Sequence, residues 1–137
     1  MSNFNIFDIA GSGMSAQSVR LNTVASNLAN ADSISGDPAR VYRAREPIFQ
    51  ALVPTATDPA SAGVRVLGVT ESQADPERRY EPGNPLADTQ GYVYAPNVNV
   101  VEQMVDMISA SRAYQNNVEV MNTARNLMLA TLKLGQS

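Results

Sequence analysis

The chain has 137 residues, ten Lys and Arg against thirteen Asp and Glu, a formal charge of −3, and no His, Cys or Trp. That length allows one domain with a modest core, and the charge offers neither a phosphate-backbone partner nor a polybasic membrane patch, so no nucleic acid is expected. Without His there is no Ser-His-Asp triad, and without Cys or His no ordinary zinc, haem or thiolate site; catalysis would fall to carboxylates, Lys133, Tyr and Ser.

The absence of thiols suits any redox compartment. No apolar run reaches the ~18 residues of a transmembrane helix, and the first cationic side chain is Arg20, so the N-terminus lacks the basic region of a cleaved signal peptide. On these grounds alone the chain belongs in the cytoplasm.

Asn5, with Asp8 three residues on, can begin a helix. Phe7, Ala10, Met14, Gln17, Leu21, Val24, Leu28 and Ala31 then alternate at steps of three and four, a heptad seam interrupted only by Gln17. The stripe reads equally as the core side of an amphipathic helix or as a seam between molecules. Gly11 and Gly13 each cost a helix ~1 kcal/mol relative to Ala, and Asn22, Ser26, Asn27 and Asn30 weaken its second half, so the helix needs packing to persist. Residues 11–16 fit the loose dinucleotide pattern G-x-G-x-x-G/A, with Asp32 near the distance of a ribose-binding acid. That motif needs a strand before it and another ending at the acid, whereas Asp32 runs into the loop Ser33-Ile34-Ser35-Gly36-Asp37-Pro38.

All eight prolines lie between Pro38 and Pro96, which divides the chain into a helical segment 1–37, an irregular middle 38–96 and a helical segment 97–137. Within the middle, residues 41–46 alternate weakly, residues 48–53 follow Pro47, residues 64–70 are the clearest strand, and Gly91-Tyr92-Val93-Tyr94 is a short strand entering the last helix. Residues 54–63 read as loop. Arg78 and Arg79, beside Asp75, Glu77 and Glu81, read as a locally neutralised surface rather than an anion site.

From Asn97 to Leu134 there is neither Pro nor Gly, giving one helix of about ten turns and roughly 50 Å, too long for so small a domain to bury. Asn99 and Glu102 have capping-box spacing, Glu102 and Asp106 lie near the start, Lys133 near the end, and Gly135 is the expected stop. Two neighbouring stripes run along it. One holds Met107, Ser111, Tyr114, Val118, Met121, Arg125, Met128 and Leu132, the other Ala110, Ala113, Asn117, Val120, Ala124, Leu127, Thr131 and Leu134. Such a helix can touch more than one neighbour, as in a bundle or a polymer. The acids suit the helix dipole better than acid–base work, and the methionines read as packing.

Asn5-Ile6-Phe7-Asp8-Ile9-Ala10, Met14-Ser15-Ala16-Gln17 and Ala25-Ser26-Asn27-Leu28-Ala29-Asn30-Ala31-Asp32 resemble the N-terminal signature of the bacterial flagellar axial proteins. Gly91-Tyr92-Val93-Tyr94, Pro96-Asn97-Val98-Asn99-Val100-Val101-Glu102, Met107-Ile108-Ser109-Ala110-Ser111-Arg112-Ala113-Tyr114-Gln115 and Leu132-Lys133-Leu134-Gly135-Gln136 narrow the likeness to the proximal rod. The resemblance covers both ends and the edges of the middle. It implies an α+β chain whose terminal helices pair as an antiparallel coiled coil beside a small β-rich, loop-rich middle domain, polymerising helically into a hollow drive shaft across the periplasm.

The implied partners are other copies of the chain, neighbouring proximal- and distal-rod proteins, adaptor and MS-ring components of the basal body, and the flagellar type III export apparatus. Export without a cleaved signal replaces the cytoplasmic default. No small-molecule substrate, cofactor, metal or enzyme activity is implied. The expected assembly residues are Phe7, Met14, Leu21, Val24 and Leu28 with Met107, Tyr114, Val118, Met121, Leu127, Met128 and Leu132. Two other readings stand beside this one: a cytoplasmic helical adaptor, and a small nucleotide-binding enzyme using residues 11–16.

Overall fold

The computed structural model describes residues 3–52 and 62–136. Its elements in chain order are α1 (Asn3–Ala29), β1 (Arg45–Ala51), β2 (Val64–Glu71), β3 (Glu77–Tyr80), β4 (Tyr92–Ala95) and α2 (Val100–Gly135). This is the α+β class, with a long helix at each end and two small antiparallel sheets between them. Most of the loop expected over 54–63 lies outside the described residues.

Local chemistry sets the helix ends. α1 begins before Asn5 and closes on its own polar side chains: the Ser26 carbonyl accepts both the Asn30 N–H at 3.2 Å and Asn30 Nδ2 at 2.9 Å, and the Asn30 carbonyl accepts both the Ser33 N–H at 3.1 Å and Ser33 Oγ at 2.8 Å, so side chains add a second bond to the last carbonyls. At the start of α2, Asn99 is extended and its Oδ1 accepts from the N–H groups of Val101 and Glu102 at 3.1 and 3.2 Å. The expected capping box is therefore half made, since Glu102 faces solvent and returns no bond among the described contacts. Gly135 is also not the stop. It sits in the last helical turn, and Gln136 caps the helix in an ordinary right-handed conformation, donating to the Lys133 carbonyl at 3.3 Å.

The two helices run antiparallel, because contacts that descend α1 ascend α2: Asn27 meets Gln103, Arg20 meets Asp106, and Gly13 faces Asn117. Ala10, Ala16, Ala110 and Ala124 are buried, so the helices approach over small side chains. A Cβ on Gly13 would meet the Asn117 amide at 2.9 Å. This glycine weakens α1 locally and makes room for its neighbour.

β1 pairs with β2 from Arg45↔Glu71 to Ala51↔Val64, with a register shift between Ile48 and Phe49. The hairpin lies along α1. Its base is tied to Asn27 through the Arg45 peptide, and its far end to Ser12, whose Oγ accepts the Val64 N–H at 3.1 Å. Seven strand residues at ~3.3 Å and the roughly fifteen helical residues between Ser12 and Asn27 at 1.5 Å both span about 22 Å, so strand and helix match in length.

β3 pairs with β4, and Ser35 bridges Tyr94, bringing the segment after α1 onto this second sheet. Val93 is fully buried there and Ala95 nearly so. Gly36 is required at this crossing because a Cβ would run into the Leu86 carbonyl. Arg79 binds Glu77 at 3.0 and 3.1 Å, the expected neutralisation, while Arg78 stacks on the Tyr92 ring at 3.6 Å. Both arginines belong to a strand, which the alternation-poor Glu-Arg-Arg-Tyr sequence does not announce.

Candidate assembly surface

The chemistry-bearing features of the sequence come to structural ends. Residues 11–16 lie inside α1 with no strand before them, so their N–H groups belong to the helix and cannot cradle a phosphate. Asp106 forms an ion pair with Arg20 at 2.8 Å across the helix pair, while Glu102 faces solvent. Among the described residues no cluster of three or more His, Cys, Asp or Glu could hold a metal, and no helix is long and apolar enough to cross a membrane.

Asn27, 1% exposed, organises the junction between α1, α2 and the hairpin. Its Nδ2 donates to the Arg45 carbonyl and to Gln103 Oε1, and its Oδ1 accepts from the Arg45 N–H and the Tyr42 hydroxyl, all at 2.9 Å. The side chain thus uses its full donor and acceptor capacity. Asn97 repeats the device at the entry to α2, accepting the Ala44 N–H at 2.8 Å and donating to the Ala74 carbonyl at 2.9 Å. Near β4 the Asp88 carboxyl lies below its ordinary value, held there first by the Tyr92 N–H, with Gln90, Gly91 and the charge of Arg78 adding to it.

The expected assembly residues divide by exposure. Val24 is buried; Phe7, Met14, Leu21, Leu28, Met107, Tyr114, Val118, Met121 and Met128 are half-buried; Leu127 and Leu132 are exposed at 62% and 59%. The inward line of α2 is Gln103, Met107, Ala110, Tyr114, Asn117, Met121, Ala124 and Met128, at alternating steps of four and three. This line draws in turn on both stripes expected from the sequence, with Ser111 and Val118 of the first half-buried beside it. Arg125 and Leu132 of one stripe and Val120 and Leu127 of the other are exposed.

Reading apolar residues alone also misses the polar part of the pairing. Ile6, Gly13, Arg20 and Asn27 recur at steps of seven on α1, and each meets α2 or lines the groove beside it. The signal was a seven-residue step through residues of mixed character, Arg20 and Asn27 among them, which a hydrophobic count passes over.

On the outer side of α2 the apolar residues concentrate toward its ends. Val101, Met104, Val105 and Ile108 are exposed near the start, Leu127, Leu129, Leu132 and Leu134 toward the end, and Gln115, Asn116, Glu119 and Asn122 lie between, with Val120 the exposed apolar residue among them. Two open grooves of about 430 Å³ each follow this flank and meet at Asn116. One is lined by Val105, Ile108 and Ala113, the other by Val120, Leu127 and Ile6 of α1.

Residues 7–33 match the family described as Flagella basal body rod protein, and residues 89–134 the one described as Flagellar basal body rod FlgEFG protein C-terminal. The chain is 57% identical over 136 residues to the flagellar basal-body rod protein FlgC of Salmonella typhimurium strain LT2, covering 99% of this chain and all of the relative. At the same coverage it is 58% identical to FlgC of Escherichia coli O6:H1 and 54% to that of Yersinia enterocolitica. The chain belongs to the FlgC family of flagellar basal-body rod proteins. It is accordingly a structural subunit and not an enzyme. Exposed apolar side chains of this FlgC-family chain lie along α2 and also on the β1–β2 hairpin, at Ile48, Phe49, Leu67 and Val69.

Proposed function

We propose that the chain is a subunit of the proximal part of the flagellar rod, polymerising helically with other rod proteins into the hollow shaft that carries torque across the periplasm. The terminal segments 1–37 and 97–137 are its assembly arms and 38–96 a small domain held against them. α1 and α2 pair as an antiparallel coiled coil, a reading supported by the four–three spacing of the inward line on α2. Their uncovered apolar residues meet adjacent subunits. Adaptor and MS-ring components and the type III export apparatus are the remaining partners, with export requiring no cleaved signal.

The observation that carries this reading is unfinished burial. The chain exposes 9241 Å², about a third more than the ~6,900 Å² of a compact monomer of its mass. Leu127, Leu132 and Leu134 stand open on one helix, an apolar display that marks a contact surface. Open helical symmetry follows when such contacts are heterologous and do not close.

The terminal helices therefore become fully ordered on assembly. Two measurements test the proposal. Mass spectrometry of purified hook-basal bodies should find the chain, and its absence from them ends the rod reading. Circular dichroism and hydrogen exchange on the dilute monomer should find weakly protected helices, and full protection of both removes the assembly-linked ordering.

A further inference from the structure

The β1–β2 hairpin packs on α1, and no Cα of α2 comes within 8 Å of either of its strands. Polar side chains nevertheless join α2 to the base of the hairpin. Asn27 of α1 holds both the N–H and the carbonyl of Arg45 and also binds Gln103 of α2. Asn97, at the entry to α2, accepts the Ala44 N–H at 2.8 Å and donates to the Ala74 carbonyl at 2.9 Å. One asparagine from each terminal segment therefore grips adjacent backbone groups where β1 begins, and Asn97 also grips the chain leaving β2.

Between these two side chains the hairpin closes on itself. The Ser72 N–H donates to the Ala44 carbonyl at 2.8 Å, and Arg43 reaches the Ser72 and Ala74 carbonyls at 3.4 and 3.2 Å. Ala44 and Val41 are buried here beside Asn27, so a backbone group that loses its asparagine has little water to replace it. A two-stranded ribbon is marginal by itself and needs a helix or more strands against it. The helix available is α1, which Gly11 and Gly13 weaken and which itself pairs with α2.

We infer that closure of the β1–β2 hairpin is conditional on the pairing of α1 with α2, with Asn27 and Asn97 as the latch that transmits it. Asn27 makes its full set of bonds only when α2 presents Gln103, and Asn97 is positioned by the start of α2. Coupling of this kind is reciprocal, so a closed hairpin also favours the correct helix register. The inference rests on the assembly-linked ordering of the helices and extends it to the middle of the chain. The hairpin face bearing Ile48 and Leu67, both exposed, takes its final shape only in a subunit whose terminal helices have met.

The chain has no cysteine, so pairing can be imposed. A Cβ at position 13 would lie 3.0 Å from Asn117 Cγ, within disulfide reach, and oxidised Gly13→Cys with Asn117→Cys locks the helices far from the hairpin base. Ala110→Asp does the opposite, placing a carboxylate at a fully buried site of α2. Hydrogen exchange is followed in each full-length chain at the Ser72 amide, whose acceptor belongs to neither asparagine, and at the amides of residues 103–110. Ser72 should exchange at least tenfold more slowly in the locked chain than in Ala110→Asp. Asn27→Leu or Asn97→Ala, introduced into the locked chain, should return Ser72 to fast exchange while the helix amides stay slow.

Equal Ser72 protection in the locked and Ala110→Asp chains would overturn the inference, as would slow Ser72 exchange in either locked asparagine variant. Full protection of both helices in the dilute parent would instead strike at assembly-linked ordering, because the locked and parted chains still report on the latch.

Discussion

Leu127 separates the energetics of the subunit from those of its assembly. It exposes 62% of its surface in the subunit, and full burial of a leucine side chain is worth ~1.5–3 kcal/mol, so roughly 1–2 kcal/mol remains to be gained from a neighbour. Leu127→Ala should therefore weaken incorporation by about 5- to 30-fold while leaving the helix content of the isolated chain unchanged. Leu127→Asp goes further, since a carboxylate would have to be buried among Ile6, Val120 and its neighbour's apolar atoms at a cost of several kcal/mol. The assay is the amount of each variant in purified basal bodies relative to the amount exported, in cells lacking the parental copy. Parental incorporation of Leu127→Asp would refute the assignment of this face to assembly, and a fall in export to match would refute its restriction to the assembled state.

Asn27→Leu keeps approximate size but leaves the Arg45 N–H and carbonyl and the Gln103 amide without their partner; at ~1–3 kcal/mol per unsatisfied buried group, hydrogen exchange in the assembled protein should quicken first at residues 42–47, and unchanged protection there would contradict its role as a hub. Arg20→Asp should weaken the helix pair by only ~1 kcal/mol, because the ion pair is partly solvated, and adding Asp106→Arg should recover most of that in a double-mutant cycle on the urea resistance of rods; additive losses would show that the charges do not interact. The Asp88 carboxyl lies below its ordinary value, so its stabilising effect is present above the unfolded value and is lost as pH falls through the folded one. The Gly91 and Tyr92 amide signals should therefore shift below about pH 4, with the shift abolished in Asp88→Asn. Invariant signals down to pH 2 would remove the carboxylate from the turn.

The long helices were legible because proline confinement and heptad spacing are strong local signals, and the hairpin because Val64-Arg65-Val66-Leu67 is β-rich. β3 was not, since its charged residues are placed by Tyr92 and Glu77 rather than by an apolar face. Two adjacent stripes were legible on α2, but not which neighbour each meets. Adjacent apolar lines on a helix differ by a single step of three or four, and the choice between them is made by Gln103 and Asn117, which no hydrophobic criterion selects. Asn27 read as a weak helix former and proved to be the residue around which the junction is built.

Those polar contacts bear on how such a subunit assembles without pairing wrongly. The fully buried apolar residues of the helix pair are small, alanines and Val24, and the larger inward methionines, Leu21, Leu28 and Tyr114 are only half-buried, so apolar contact by itself selects a register weakly. A slip of one turn leaves the buried Asn27 amide without Gln103 and breaks the partly solvated Arg20–Asp106 pair, much as a polar residue in a coiled-coil seam fixes register at some cost in stability. The helix pair is thus specific but weak, and the leucines it leaves open supply their apolar burial only when a neighbour covers them. Specific pairing within the subunit and strong burial between subunits are carried by different residues, so Asn27→Leu should yield rods with disturbed internal register, whereas Leu127→Asp should yield none. Equal loss of rods in the two variants would show that pairing and assembly are a single event.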